Sequence, residues 1–187
     1  MAAIAQHLSP ARADKIAAAN VLRVLVTAGG TQEPIDGVRS ITNFSTGKTG
    51  LAIASHFAQC GHQVTLLLAS SANPTPVDNI RVLRFTSFSD LQTLLQQQLS
   101  ERAFDVVVHA AAVSDYTVKK VAGTQPDHGL PSDRKKIDSE GDLVLHLEKT
   151  PKLVDRLREF AGGQTASGVK LQVVAFKLTC AATQDER

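Results

Sequence analysis

The sequence has little of what a metal centre, a disulfide scaffold or a membrane segment requires. It holds two cysteines, Cys60 and Cys180, with no CxxC pair and no Cys/His cluster, and its six histidines lack metal-ligand spacing. Nothing therefore suggests zinc, and no residue is assigned as a metal ligand. Cys60 ends the apolar helical pattern Ile53-Ala54-Ser55-His56-Phe57-Ala58-Gln59-Cys60, so a buried, reduced thiol is expected. No apolar run approaches the ~20 residues a membrane span needs. Residues 1–20 have neither the apolar stretch nor the cleavage pattern of a secretory signal, so a cytoplasmic location is expected. The net charge of +2 is too small to argue for a nucleic-acid surface. The lysines and arginines between Lys119 and Lys152 sit among acids, as on a solvated face, although a local anion site there is compatible with the same residues. No internal repeat is visible.

What is present suits one ordinary globular domain: 187 residues, 43% hydrophobic and 20% charged, enough for a core without disulfides or metals. Residues 1–20 are Ala-rich and read as a helical extension. Leu22-Arg23-Val24-Leu25-Val26-Thr27 is a buried parallel strand stopped by the glycine turn Ala28-Gly29-Gly30-Thr31. A helix runs from Thr46 to about Gln59, with Gly61 at C′. Gln63 to Leu68 and Ile80 to Phe85 are strands; Ser89-Asp90 caps a helix from Leu91 to about Glu101; Phe104 to Ala111 is the fourth strand. This alternation predicts an α/β fold: a doubly wound, Rossmann-like, mostly parallel sheet with helices on both faces. Residues 117–140 are polar and Gly/Pro-punctuated, and read as a loop. Leu143 to Leu147 is a weak strand. Thr150 (N-cap) and Pro151 (N1) open a helix to about Phe160, and Leu171 to Phe176 is another buried strand.

Ligands of open α/β sheets bind beyond the carboxyl ends of the strands, so those ends carry the argument. After the first strand, Gly29 and Gly30 let backbone approach a ligand and turn N–H groups toward an anion. The spacing is neither a Walker loop nor GxGxxG, and a plain turn would use the same residues. In Val38-Arg39-Ser40-Ile41-Thr42-Asn43-Phe44-Ser45-Thr46-Gly47-Lys48, hydroxyls, a lysine and free N–H groups gather at a helix start, which favours phosphate. Arg39 has a fork for a carboxylate or phosphate, and Asn43 an amide that donates and accepts. Helix capping by Ser45 and surface roles for Arg39 and Lys48 are the plainer alternative. The fourth strand ends in His109-Ala110-Ala111-Ala112-Val113-Ser114-Asp115-Tyr116. Small residues there leave room for a flat ring, with Asp115 facing an amino-bearing base or a ribose; a tight turn capped by Asp115 explains them equally. His109 reads as a structural histidine. Lys135-Lys136-Ile137 is either a solvated pair or a flap lysine that closes on a polyphosphate.

Together these segments resemble the phosphopantothenate–cysteine ligase family, which in bacteria is commonly fused behind a flavin-dependent decarboxylase. The resemblance lies in residues 26–36, 38–48 and 111–116. Lys136-Ile137, Lys149-Thr150-Pro151-Lys152-Leu153-Val154 and Ala175-Phe176-Lys177-Leu178-Thr179 follow in the family's order. It covers about residues 22–180. It implies a coenzyme A biosynthesis ligase that activates the carboxylate of 4′-phosphopantothenate with CTP, Mg²⁺ accompanying the nucleotide, and then joins it to cysteine. It implies Asn43, Lys136 and Arg39 as catalytic residues. Asp115, Ala110, Ala111, Pro151, Lys152, Leu153, Val154 and Phe176 are implied as nucleotide-binding. Gly29, Gly30, Ser45, Lys48 and Ala112 are added as phosphate or substrate contacts. A homodimer is expected. The ligase domain is expected over 21–187, without the fused decarboxylase and short at its C-terminal end; Phe176-Lys177-Leu178-Thr179 looks more like stand-alone members. Two other readings stand beside it: an NAD(P)-binding oxidoreductase, which the missing GxGxxG and the absence of an acid after Leu68 disfavour, and an inactive nucleotide-binding subunit of the same descent.

Overall fold

The structure, a computed structural model, describes residues 21–73, 79–101, 103–122, 136–137, 142–163, 165 and 168–176. The expected extension over 1–20, and Cys180, lie outside the described residues. The elements in chain order are β1 (Arg23–Ala28), β2 (Gln32–Pro34), β3 (Ser40–Thr42), α1 (Lys48–Gln59), β4 (Gln63–Ala69) and β5 (Ile80–Phe85). There follow α2 (Phe88–Ser100), β6 (Val106–His109), β7 (Tyr116–Ala122), β8 (Val144–Lys149), α3 (Leu153–Phe160) and β9 (Gln172–Ala175).

Five of these strands form one sheet in the order β5-β4-β1-β6-β9, every neighbouring pair parallel. The strand period of two sorts their apolar side chains into two cores. Val24, Val26 and Ala28 of β1 and Val64, Leu66 and Leu68 of β4 face one side, covered by Ala54 and its α1 neighbours. Leu25, Leu67 and Val107 face the other, covered by Leu91, Leu95 and Leu99 of α2 and Leu153 and Leu157 of α3. Helices on both faces follow, as the alternating pattern predicts.

Four local expectations change. The helix over 88–100 is capped by Ser87, whose hydroxyl accepts from the Asp90 amide while Asp90 reaches back to the Ser87 amide. Asp90 is thus the third residue of a capping box rather than part of the cap itself. At α3 the N-cap is Lys152; Thr150 instead donates its hydroxyl to the Ser114 carbonyl at 2.7 Å. The first part of the supposed loop is β7, antiparallel to β8 with an irregularity between Val118 and Lys120; cross-strand pairing stabilises a lysine-bearing segment that has no clean period. The glycine turn after β1 leads into the short antiparallel pair β2–β3. Finally, Cys60 is exposed, because it is the C-cap of α1 and points off the buried stripe. Gly61 follows with φ +84°, as its C′ position requires.

Candidate functional site

The strand order reverses at β1, between β4 and β6, and the chains leaving β1 and β6 continue side by side beyond the sheet. Polar contacts hold them in register beyond the sheet. The Ala110 amide donates to the Thr27 carbonyl (3.2 Å), Ala112 to Gly29 (2.8 Å) and Thr31 back to Ala112 (3.1 Å). The Thr31 hydroxyl accepts from the Ser114 amide at 2.9 Å, and the Thr27 hydroxyl from the Ala111 amide at 3.1 Å. Thr27 Oγ1 also lies 3.0 Å from His109 Nδ1. Burial pushes the His109 imidazole down to about 4, so it is neutral at physiological pH and serves the strand ends, the structural role expected of it.

Gly29 and Gly30 fit this junction for different reasons. Gly29 has φ +90°, a region L side chains avoid. At Gly30 an added Cβ would stand 2.6 Å from the Asn43 carbonyl oxygen, so the two turns touch backbone to backbone. Asn43 is thereby seated across the mouth of β1, and its Nδ2 donates to the Ala112 carbonyl at 3.3 Å.

An open cleft of about 890 Å³ lies here, large enough for a drug-sized ligand. Asn43, Ser45 and Lys48 belong to its wall, together with Leu68, Ser71 and Asn73, and Ala110 at the strand end. The first turn of α1 forms part of it. Its N-cap is Gly47, in the left-handed region, with no side-chain cap and no acid in the first turn. Ser45 therefore does not cap the helix, and the N-terminal N–H groups face the cleft. Phe44 is fully exposed in the same wall.

Arg39 stands apart from that cleft, bound by Asp36. Its Nε and NH2 both reach Asp36 Oδ2, at 2.9 and 2.5 Å, and NH2 also donates to the Ile137 carbonyl at 2.8 Å. Asp36 Oδ1 accepts the Val38 and Arg39 amides, and Oδ2 accepts the Ile137 amide at 3.1 Å. The Arg39 bonds, opposed by burial and aided by those amides, hold the Asp36 carboxyl well below the usual carboxylate range. Lys136 is exposed and adjoins Ile137, so the segment expected to act as a flap is tied to the 36–39 turn. Asp36 lies in the first quoted motif, yet no role was read for it; an aspartate three residues before an arginine, in a turn, was the available signal.

The predicted nucleotide residues form a third group. Lys152 Nζ pairs with Asp115 Oδ1, both half-exposed. The Asp115 carbonyl accepts the Thr150 amide at 2.9 Å, which brings Pro151 and Lys152 to the end of β6. Val154 is half-buried, whereas Leu153 is buried and its side chain belongs to the core against α2; only its backbone is placed to contact a ligand. Phe176, after β9, is exposed. Glu33 was missed as well. It is buried, and accepts the Phe88 amide at 2.9 Å and the Thr117 hydroxyl at 3.1 Å, joining β2, α2 and β7.

Parallel strands in this order, with a polar cleft at their carboxyl ends, define a Rossmann-like ligand-binding α/β domain. The chain belongs to the family described as DNA/pantothenate metabolism flavoprotein C-terminal domain, whose model matches residues 19–184. It is 40% identical over 150 residues to the coenzyme A biosynthesis bifunctional protein CoaBC of Thermococcus kodakarensis, covering 80% of this chain and 34% of that protein. To CoaBC of Escherichia coli it is 35% identical over 138 residues, covering 71% and 30%. The chain thus spans about a third of the length of the curated relatives it matches. Among solved structures, the DNA/pantothenate metabolism flavoprotein of Streptococcus pneumoniae superposes with a TM-score of 0.71 at 34% identity, over 88% of this chain and 73% of that one. The H337A mutant of Cab2, in complex with phosphopantothenate-cysteine, shares the fold at 22% identity and TM-score 0.57, over 81% and 64%. Among the described residues no helix is long and apolar enough to cross a membrane.

Proposed function

We propose that the chain is the ligase domain of coenzyme A biosynthesis: it activates the carboxylate of 4′-phosphopantothenate with CTP and couples the product to cysteine. The carboxylate oxygen attacks the α-phosphorus of CTP and pyrophosphate leaves. The cysteine amine then displaces CMP from the acyl-cytidylate and forms the amide. The observation that carries this reading is the seating of Asn43 against Gly30 and Ala112 at the strand-order reversal, beside an uncapped helix N-terminus, in a chain of this family.

Each step asks for position and charge neutralisation more than for a covalent side chain. Asn43, with one amide face on the Ala112 carbonyl, is suited to hold the acyl-nucleotide. Ser45, Lys48, Gly29 and Gly30 offer hydroxyl, ammonium and backbone N–H groups to phosphate. Lys136 supplies a cation to the polyphosphate, and Arg39, bonded to the Ile137 carbonyl, ties its segment to the 36–39 turn. Asp115, Lys152 and the flanking Ala110, Ala111, Pro151, Val154 and Phe176 supply the base and ribose contacts; their ion pair must open for the nucleotide. Mg²⁺ accompanies the nucleotide, held chiefly by its phosphates as part of the substrate. A cytoplasmic homodimer fits this reading; the exposed Tyr116 and Leu147, on one face of the β7–β8 pair, supply apolar surface for it.

The test is pyrophosphate release that requires CTP, 4′-phosphopantothenate and, for CMP formation, cysteine. Asn43→Asp and Lys136→Ala should each lower turnover about 10²-fold, the scale of losing one positioned transition-state contact. Unchanged turnover in either variant refutes that residue's role, and binding of NAD(P) in preference to CTP refutes the reading.

A further inference from the structure

We infer that Asp36 is a positioning residue that fixes the backbone of the Lys136-bearing segment against the 36–39 turn; for its catalytic consequence this rests on the function proposed above. The backbone of Ile137 has two polar groups to satisfy. Both are taken by one ion pair far away in sequence: the amide donates to Asp36 Oδ2 at 3.1 Å, and the carbonyl accepts from Arg39 NH2 at 2.8 Å. The Ile137 amide belongs to the peptide unit that joins it to Lys136. Capturing it fixes the plane from which the lysine side chain departs.

The clamp is built more rigidly than a surface ion pair. The Asp36 side chain is fully buried, whereas Arg39 remains 38% exposed. Every bond made by Asp36 is local except one. Oδ1 folds the turn through the Val38 and Arg39 amides, and Oδ2 collects the Arg39 fork. The turn is closed from its own side as well, by the Ile35 amide on the Arg39 carbonyl at 2.8 Å. The remaining acceptor capacity of Oδ2 then faces the Ile137 amide. A carboxylate is required there: donors converge on both its oxygens, and an asparagine would turn an NH2 group toward some of them. The turn also stands between β2 and β3, so the clamp is joined through β3 to Asn43, which follows that strand directly. Asp36 thus couples the two residues assigned to successive chemical steps.

The test uses the full chain and two readouts. Amide exchange at Ile137 reads the clamp itself. In Asp36→Asn and in Asp36→Ala, Ile137 should lose protection by about tenfold or more, the scale on which an unanchored segment opens, while the β1 and β6 amides of Val26 and Val107 keep theirs. Unchanged protection at Ile137 overturns the inference, and so does a parallel loss at Val26 and Val107. Pyrophosphate release then reads the consequence. Asp36→Asn should lower kcat with little change in KM for cysteine, and should have no further effect in a Lys136→Ala background. Additive losses in the double variant mean that Asp36 does not act through Lys136 and overturn the inference. If the unaltered chain releases no pyrophosphate, the function proposed above fails, while the exchange result still decides whether the clamp exists.

Discussion

Lowering the pH should unfold this protein partly through one residue, His109. Its imidazole is buried at the end of β6, beside Thr27, and is pushed down to about 4 from 6.5 by loss of solvation alone. The folded protein therefore binds fewer protons than the unfolded chain between those values, and stability falls as the pH falls. The loss begins near 6.5 and is complete near 4. At pH 5 the unfolded chain is about 97% protonated at this site and the folded one about 9%, so the site's share of the loss from pH 7.5 is about 2 kcal/mol. For a domain of this size that is about 4–8 °C in Tm. The assay is urea unfolding at pH 7.5 and at pH 5, on the unaltered chain and on His109→Gln. Other carboxylates and histidines titrate in both proteins and cancel in the difference. His109→Gln should be less sensitive to acid by about 2 kcal/mol, whatever its stability at neutral pH. Equal losses in the two proteins would mean that His109 is hydrated or protonated in the folded state, and would refute the reasoning.

Gly30→Ala should cost about 1–3 kcal/mol by overpacking, because the new Cβ would meet the Asn43 carbonyl at 2.6 Å. Thermal unfolding reads that cost, and turnover should fall about 10²-fold if the displaced turn carries Asn43 out of line; a variant equal to the unaltered chain in both refutes the contact. Glu33→Met keeps the length of the side chain but removes both acceptors, leaving the Phe88 amide and the Thr117 hydroxyl without their partner. It should lower stability by about 1–3 kcal/mol in urea titrations, and an unchanged midpoint refutes the pairing.

The fold was legible because its central strands are buried on both faces, whereas β9, expected to be buried, is the last strand of the described sheet and leaves Val174 exposed. Val24 to Val26 and Val64 to Leu68 are near-continuous apolar runs punctuated by Gly29 and Gly61, and the helices between them have the right period. What escaped was decided by partners distant in the chain. Nothing local marks Tyr116–Ala122 as a strand; its partner, Val144–Lys149, begins more than twenty residues later. Thr150 has the residue type and spacing of an N-cap, but its hydroxyl is drawn to the Ser114 carbonyl, 36 positions away, and the helix starts later. Cys60 carries the helical period, yet the helix has reached its C-cap there and the thiol points outward. At the site, reading the strand ends points to residues such as Asn43 and Ala110 that do lie beside the cleft, while the pairing of Arg39 with Asp36, and of Lys152 with Asp115, required the geometry.

The first motif, residues 27–36, shows why such pairings elude a reading for ligand groups. Thr27 holds the Ala111 amide, and Thr31 the Ser114 amide. The Gln32 amide donates to the Thr86 carbonyl at 2.8 Å. Glu33 fastens α2 and β7, and Asp36 holds the Ile137 amide. These side chains and amides reach three segments: the run 111–117 that carries Asp115, the start of α2 at 86–88, and Ile137 beside Lys136. A polar residue in such a motif is easily mistaken for a substrate contact, because a buried hydrogen-bonding role demands the same residue types. The two roles separate by perturbation. Removing a contact to ligand leaves stability nearly unchanged and lowers turnover; removing one of these fasteners lowers both, and lowers turnover only through the residue whose segment it holds. Non-additivity between the fastener and that residue is therefore the signature to seek across the whole motif.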